Sequence, residues 1–149
     1  MKTAQYKWCE NDGWVPHLSS LGSSTHDLAF VFGARPRLQD GKLVGELRQY
    51  FQGAAAIGCS TSGEIVGDEV VDDSVIATAV TFDKTRLRTA SAEIAQAKSS
   101  YEVGEELARH LNDSSLRHVF VLSDGLKVNG SDLARGLASG VAKGVSITG

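Results

Sequence analysis

Three observations predict an α/β fold built on a mixed β-sheet. Short unbroken apolar runs end on glycine or a turn pair, as strands buried on both faces do. Between them lie stretches with apolar residues at helical spacing, opened by capping residues. Two neighbouring strand-like runs are separated only by Asp83-Lys84-Thr85, which predicts an inserted antiparallel hairpin. The resulting order is β-α-β-β-β-α-β-α-β, with helices packed on a sheet.

Residues 1–26 are polar, with Trp8, Trp14 and Pro16, and read as an N-terminal arm carrying one short element. Leu28-Ala29-Phe30-Val31-Phe32 is an apolar run that stops at Gly33, a strand. Asp40 can cap a helix whose inner face is Leu43, Val44, Leu47, Tyr50 and Phe51, at spacing i, i+1, i+4, i+7, i+8. Residues 54–58 form a short strand running into a tight turn at Gly58. Residues 74–82 and 86–95 are the two hairpin strands. Ser99-x-x-Glu102 is a capping box that opens a helix with Val103, Leu107, Ala108 and Leu111 inward. Residues 118–122 read as another buried strand. Ser131 can cap a last helix carrying Leu133, Leu137 and Val141, and residues 145–148 begin a final strand. Gly136, Gly140 and Gly144 recur every four residues, which lets a helix lie close on a sheet.

Size and charge narrow the function. The chain of 149 residues is long enough to bury a core as one domain. Its 42% hydrophobic and 22% charged content is that of a globular chain. The net charge of −3, without a basic cluster, argues against a nucleic-acid partner. No apolar run approaches membrane-spanning length, and residues 1–8 lack the apolar core of a signal peptide. Membrane insertion is not expected. Cys9 and Cys59 have neither metal-ligand nor disulfide-framework spacing. A reducing cytoplasm is the predicted location.

The segment Ala54 to Ile65 carries the strongest functional signal. Small hydroxyl and thiol residues, two glycines and an acid follow its apolar run. Gly58 and Gly63 have phosphate-loop spacing, but Glu64-Ile65 stands where Lys and Ser/Thr would be needed. Gly58-x-Ser60 begins a nucleophile elbow, but Ser62 replaces the second glycine and no helix pattern follows. Both failures favour binding over catalysis. A Cys59- or Ser60-dependent acyl-transfer enzyme would need an activating base within hydrogen-bond reach, and no motif supplies one.

Three turns follow buried strands: Gly33-Ala34-Arg35, Gly58–Glu64 and Ser123–Gly130. Ligands of α/β sheets bind outside the carboxyl ends of the strands. Parallel strands would gather Arg35, Gly58, Cys59, Ser60, Thr61, Ser62, Gly63, Glu64, Ser123, Asp124, Gly125 and Asn129 around one crevice. One cation, two acids and several neutral hydrogen-bonding groups suit a small zwitterion. Glu64 or Asp124 would hold its ammonium, and Arg35 or turn N–H groups its carboxylate. Each residue also has a structural reading. Asp124-Gly125 and Asn129-Gly130 are common turn pairs, Cys59 can be a small buried residue, and Trp8 and Trp14 can be packing. The acids Asp68, Glu69, Asp72 and Asp73 read as solvated loop.

Phe32-Gly33, then Ile57-Gly-Cys-Ser-Thr-Ser-Gly-Glu-Ile65, Asp73-Ser-Val-Ile76 and Ser123-Asp-Gly-Leu-Lys-Val-Asn-Gly130 together resemble the N-terminal half of the FIST domain, over residues 27–149. The resemblance implies an intracellular sensory module that binds a small, amino-acid-like ligand. The signal would pass to a separate output protein such as a histidine kinase. It also implies a second possibility, a haem-based nitric-oxide sensor, with His17, His26, His110 and His118 as the available ligands. A purely structural interaction module is a further rival. Family members continue into a C-terminal half, so the resemblance implies that 27–149 is truncated and prone to self-association.

Overall fold

The computed structural model describes residues 1–21, 25–94 and 99–149. The chain forms two compact units, residues 1–87 and 88–149. The architecture is α/β, with a mixed five-stranded sheet.

The first unit begins with β1 (Lys2–Cys9) and β2 (Gly13–Val15). Ala4, Tyr6 and Trp8 alternate with Thr3, Gln5 and Lys7, so one face of β1 is apolar. Asn11, Asp12 and Gly13 turn the chain, with Gly13 at φ +66°. Trp8 then pairs with Trp14 across the hairpin. A single 3₁₀ turn, Leu18–Leu21, buries Leu18 completely. Residues 2–15, expected as part of an arm with one short element, therefore supply two strands of the sheet. Residues 22–24 of that arm lie outside the described residues.

Strand β3 (Leu28–Ala34) leads into the one-turn helix α1 (Arg35–Leu38) and then α2 (Gly41–Tyr50). Asp40 caps α2 as expected, accepting from the Lys42 amide at 2.9 Å. Leu43 and Leu47 of α2, and Phe51 after it, are buried. Trp14 is buried with them and donates from Nε1 to Glu46 at 3.1 Å.

Strand β4 (Ala55–Thr61) pairs parallel to β3 over its full length. It is longer than expected. The predicted turn from Gly58 is strand up to Thr61, and only Ser62 and Gly63 turn the chain. β5 (Glu64–Val66) and β6 (Glu69–Val71) form a small antiparallel hairpin. β7 (Val75–Thr81) is the most buried strand, as its near-continuous apolar sequence demands.

The sheet order is β2-β1-β7-β3-β4. β7 runs antiparallel to both β1 and β3. This overturns the predicted 74–82/86–95 hairpin. Both edges of β7 are occupied, so residues 86–94 have no edge to pair with and form no strand. Ala95 lies outside the described residues. The inserted antiparallel hairpin is instead β5–β6.

The second unit contains α3 (Ser100–Leu111), β8 (His118–Phe120), α4 (Gly130–Gly140) and β9 (Ser146–Thr148). The capping box opens α3: the Ser99 amide donates to Glu102 Oε2 at 2.7 Å, and the Glu102 amide donates to Ser99 Oγ at 3.2 Å. β8 and β9 pair in parallel as a two-stranded sheet, with α4 as the crossover. The cap of α4 is Asn129, not Ser131; its side chain accepts from the Asp132 amide at 3.1 Å. Asn129 sits one residue before the first helical residue, where the capping geometry is available. Val103, Ala108, Val119, Leu133 and Leu137 form the buried core.

The glycine repeat packs α4 against α3 rather than onto a sheet. A Cβ on Gly136 would lie 2.1 Å from the Tyr101 carbonyl oxygen, and one on Gly104 would lie 2.4 Å from that of Leu133. Gly144 takes no part; it turns the chain before β9 at φ +93°.

Candidate functional site

The predicted site residues divide between the two units. In the first unit, β3 and β4 end side by side, and β7 starts between β1 and β3 at the same end. Glu64 ties these ends together. It is 3% exposed, and both its carboxylate oxygens accept hydrogen bonds at 2.6 Å, from Thr61 Oγ1 and Ser74 Oγ. Ser74 is 1% exposed, and its carbonyl accepts from the Ala34 amide at 2.9 Å. A carboxylate enclosed in this way braces three strand ends and has no oxygen turned to solvent.

Gly58, Cys59 and Ser60 lie within β4, at the edge of the sheet. A Cβ on Gly58 would come within 1.8 Å of the Val31 carbonyl oxygen, so the glycine is required by strand approach. Cys59 is a half-buried free thiol opposite Phe32. Ser62 and Gly63 make the short turn into β5.

Arg35, the predicted cation, opens α1 and is exposed. The arginine with built surroundings is Arg37, two residues on. Its Nε and Nη2 donate to the two oxygens of Asp73 at 2.9 and 2.6 Å. Nη2 also donates to Glu10 at 2.6 Å, and the guanidinium lies 5.3 Å from the centroid of the Trp8 ring. The hydrogen bonds it donates to Asp73 and Glu10 hold the Arg37 pKa far above its ordinary value. The same hydrogen bond holds Asp73 below the usual carboxylate range, partly opposed by desolvation. Sequence reasoning missed this cluster because Asp73 stands in an acidic run. Its left-handed backbone, φ +51°, turns the chain into β7.

In the second unit, residues 121–129 link β8 to α4. Asp124 makes the turn, accepting at Oδ1 from the Leu126 and Lys127 amides at 2.8 and 3.2 Å. The Asn129 amide donates to Ser100 Oγ at 2.9 Å, which ties this loop to the head of α3. A cleft of about 430 Å³ lies at the carboxyl ends of the two parallel strands. Val121, Leu122 and Ser123 line it after β8. Gly130, Leu133 and Ala134 line it from α4, and Ile147, Thr148 and Gly149 from the β9 end. This is where an α/β unit presents its ligand crevice. Of the predicted residues, Ser123 lines the cleft, Asp124 and Gly125 follow in its loop, and Asn129 caps the helix that walls it.

The histidines occupy separate places. His17 bonds Ser19, and His110 lies on an exposed part of α3. His118 Nδ1 and Nε2 face Ser146 Oγ at 3.2 Å and Thr148 Oγ1 at 2.9 Å. His26 Nδ1 faces Thr81 Oγ1 at 3.1 Å, with the ring edge-on to Phe51. Its Nε2 is buried, with no hydrogen-bond partner among the described residues. None of the four lines the cleft, so the cleft does not fit haem iron held by histidine. Among the described residues, no helix is long and apolar enough to cross a membrane.

Neither the curated proteins nor the solved structures gave a match. The FIST N domain model matches residues 27–149. That span contains the Gly58–Glu64 segment, the buried Glu64 brace and the whole cleft unit. The chain therefore belongs to the FIST N domain family, a family of sensory domains in signal transduction.

Proposed function

We propose that this chain is an intracellular, non-catalytic sensory module that binds a small amino-acid-like ligand and passes the signal to a separate output protein, such as a histidine kinase. The observation that carries this reading is the cleft at the carboxyl ends of β8 and β9, with Ser123 of the predicted loop in its wall. Its size falls at the small end of the roughly 300–1,000 Å³ typical of ligand sites. Membership of a sensory family supports binding as the task. The open mouth lets the charged head of a ligand stay hydrated beside Ser123 and the strand-end backbone, while the walls cover its body. Glu64 serves this reading as a brace for the first unit and not as a ligand contact.

The test is calorimetry of the full chain against the common amino acids. Saturable binding with a Kd of about 1 μM to 1 mM, some −8 to −4 kcal/mol, is expected for at least one. No heat from any of them would refute the reading. Added ferric haem is expected to give no shifted Soret band that survives desalting.

A further inference from the structure

We infer that the cleft selects an amino acid with an uncharged aliphatic side chain. This inference rests on the amino-acid reading above and adds the class of side chain. Val121, Leu122, Leu133, Ala134 and Ile147 present aliphatic side chains along the cleft-forming segments. Among the described residues, its lining has no charged side chain. Leu133 is 4% exposed and belongs to the unit's core, so that wall is fixed by packing.

The selection follows from desolvation. An aliphatic side chain entering the cleft leaves water for an apolar wall, which is favourable in proportion to the area covered. A lysine or glutamate side chain entering the same space loses hydration and meets no charged side chain in the lining. It would have to stay outside, forfeiting the contact. Ala134 controls this preference from the side chain that costs the fold least to change. It lies on the exposed part of α4, one residue from Leu133 but outside the buried core.

Titration calorimetry of the full chain with leucine, alanine, lysine and glutamate tests the inference. Leucine is expected to bind roughly tenfold tighter than alanine, from the added buried aliphatic area, and about 30-fold or more tighter than lysine or glutamate. Ala134→Asp is expected to weaken leucine about tenfold and to strengthen lysine. Ala134→Trp is expected to weaken leucine by filling the space. A melting curve for each variant confirms that it folds. Lysine or glutamate binding as tightly as leucine would overturn the inference and leave the amino-acid reading standing. Leucine binding unchanged in both folded Ala134 variants would also overturn it, since the ligand would sit elsewhere. No binding by any amino acid would remove both.

Discussion

Glu64 shows how a residue singled out as a ligand group can instead hold the fold. Its carboxylate is buried and takes a hydroxyl donor on each oxygen. Glu64→Ala leaves the Thr61 and Ser74 hydroxyls without an acceptor, in a site where Ser74 is nearly inaccessible. The expected loss is about 2–3 kcal/mol of unfolding free energy, read as a lower urea midpoint. Glu64→Gln keeps one acceptor oxygen and should lose less. An Ala variant as stable as the parent would refute the brace. Arg37 and Asp73 make a second prediction, in pH. Asp73 titrates below its unfolded value of 3.8 because Arg37 donates to it. Its contribution to stability is therefore present above that value and is lost as pH falls through the lower, folded value. Asp73 is exposed and Arg37 only half-buried, so the effect is small and should weaken with salt. Arg37→Met is expected to flatten this part of the stability–pH curve below about pH 4. An unchanged acid limb in the variant would contradict the pairing.

At the scale of elements, the glycines separate packing from propensity. An exposed helical Gly→Ala change should stabilise by up to about 1 kcal/mol. Gly45 in α2 has nothing within 4 Å of a built Cβ, and Gly45→Ala should follow that rule. Gly136→Ala should show the opposite sign, losing about 1–3 kcal/mol, because its methyl would meet the Tyr101 carbonyl. Thermal melts of the two variants moving in the same direction would contradict the close α3–α4 crossing. Local chemistry made α2 and α3 legible from sequence, since Asp40 and the Ser99–Glu102 box act within one turn of their own helices. Partners distant in sequence decided what was not legible. The 86–94 segment has strand-like alternation, but β1 and β3 had already taken both edges of β7. The register that reveals this joins Lys2 to Thr81. β1 itself was readable: Ala4, Tyr6 and Trp8 alternate with polar residues ahead of Asp12-Gly13. The turn at 123–130 was legible because its turn chemistry and the preceding apolar run are local. The brace on Glu64 was not, because Ser74 lies ten residues away and only the fold supplies it.

At the scale of the whole molecule, two units each carry their own buried cluster. The family match starts at residue 27, yet the sheet of the first unit also uses β1. Deleting residues 1–15 removes Tyr6 and Trp14 from the core and should bare the β7 edge and the apolar residues those two cover. The expected result is self-association by light scattering; a monomer with an unchanged melting temperature would contradict the role of β1. The central claim is that the ligand occupies the cleft of the second unit. Amide chemical-shift mapping of the full chain during titration with leucine tests it most directly. The account predicts saturable shifts at residues 121–123, 130–134 and 147–149, with the amides around Thr61 and Glu64 unmoved. Shifts centred on residues 58–64, or none at saturating leucine, would contradict it.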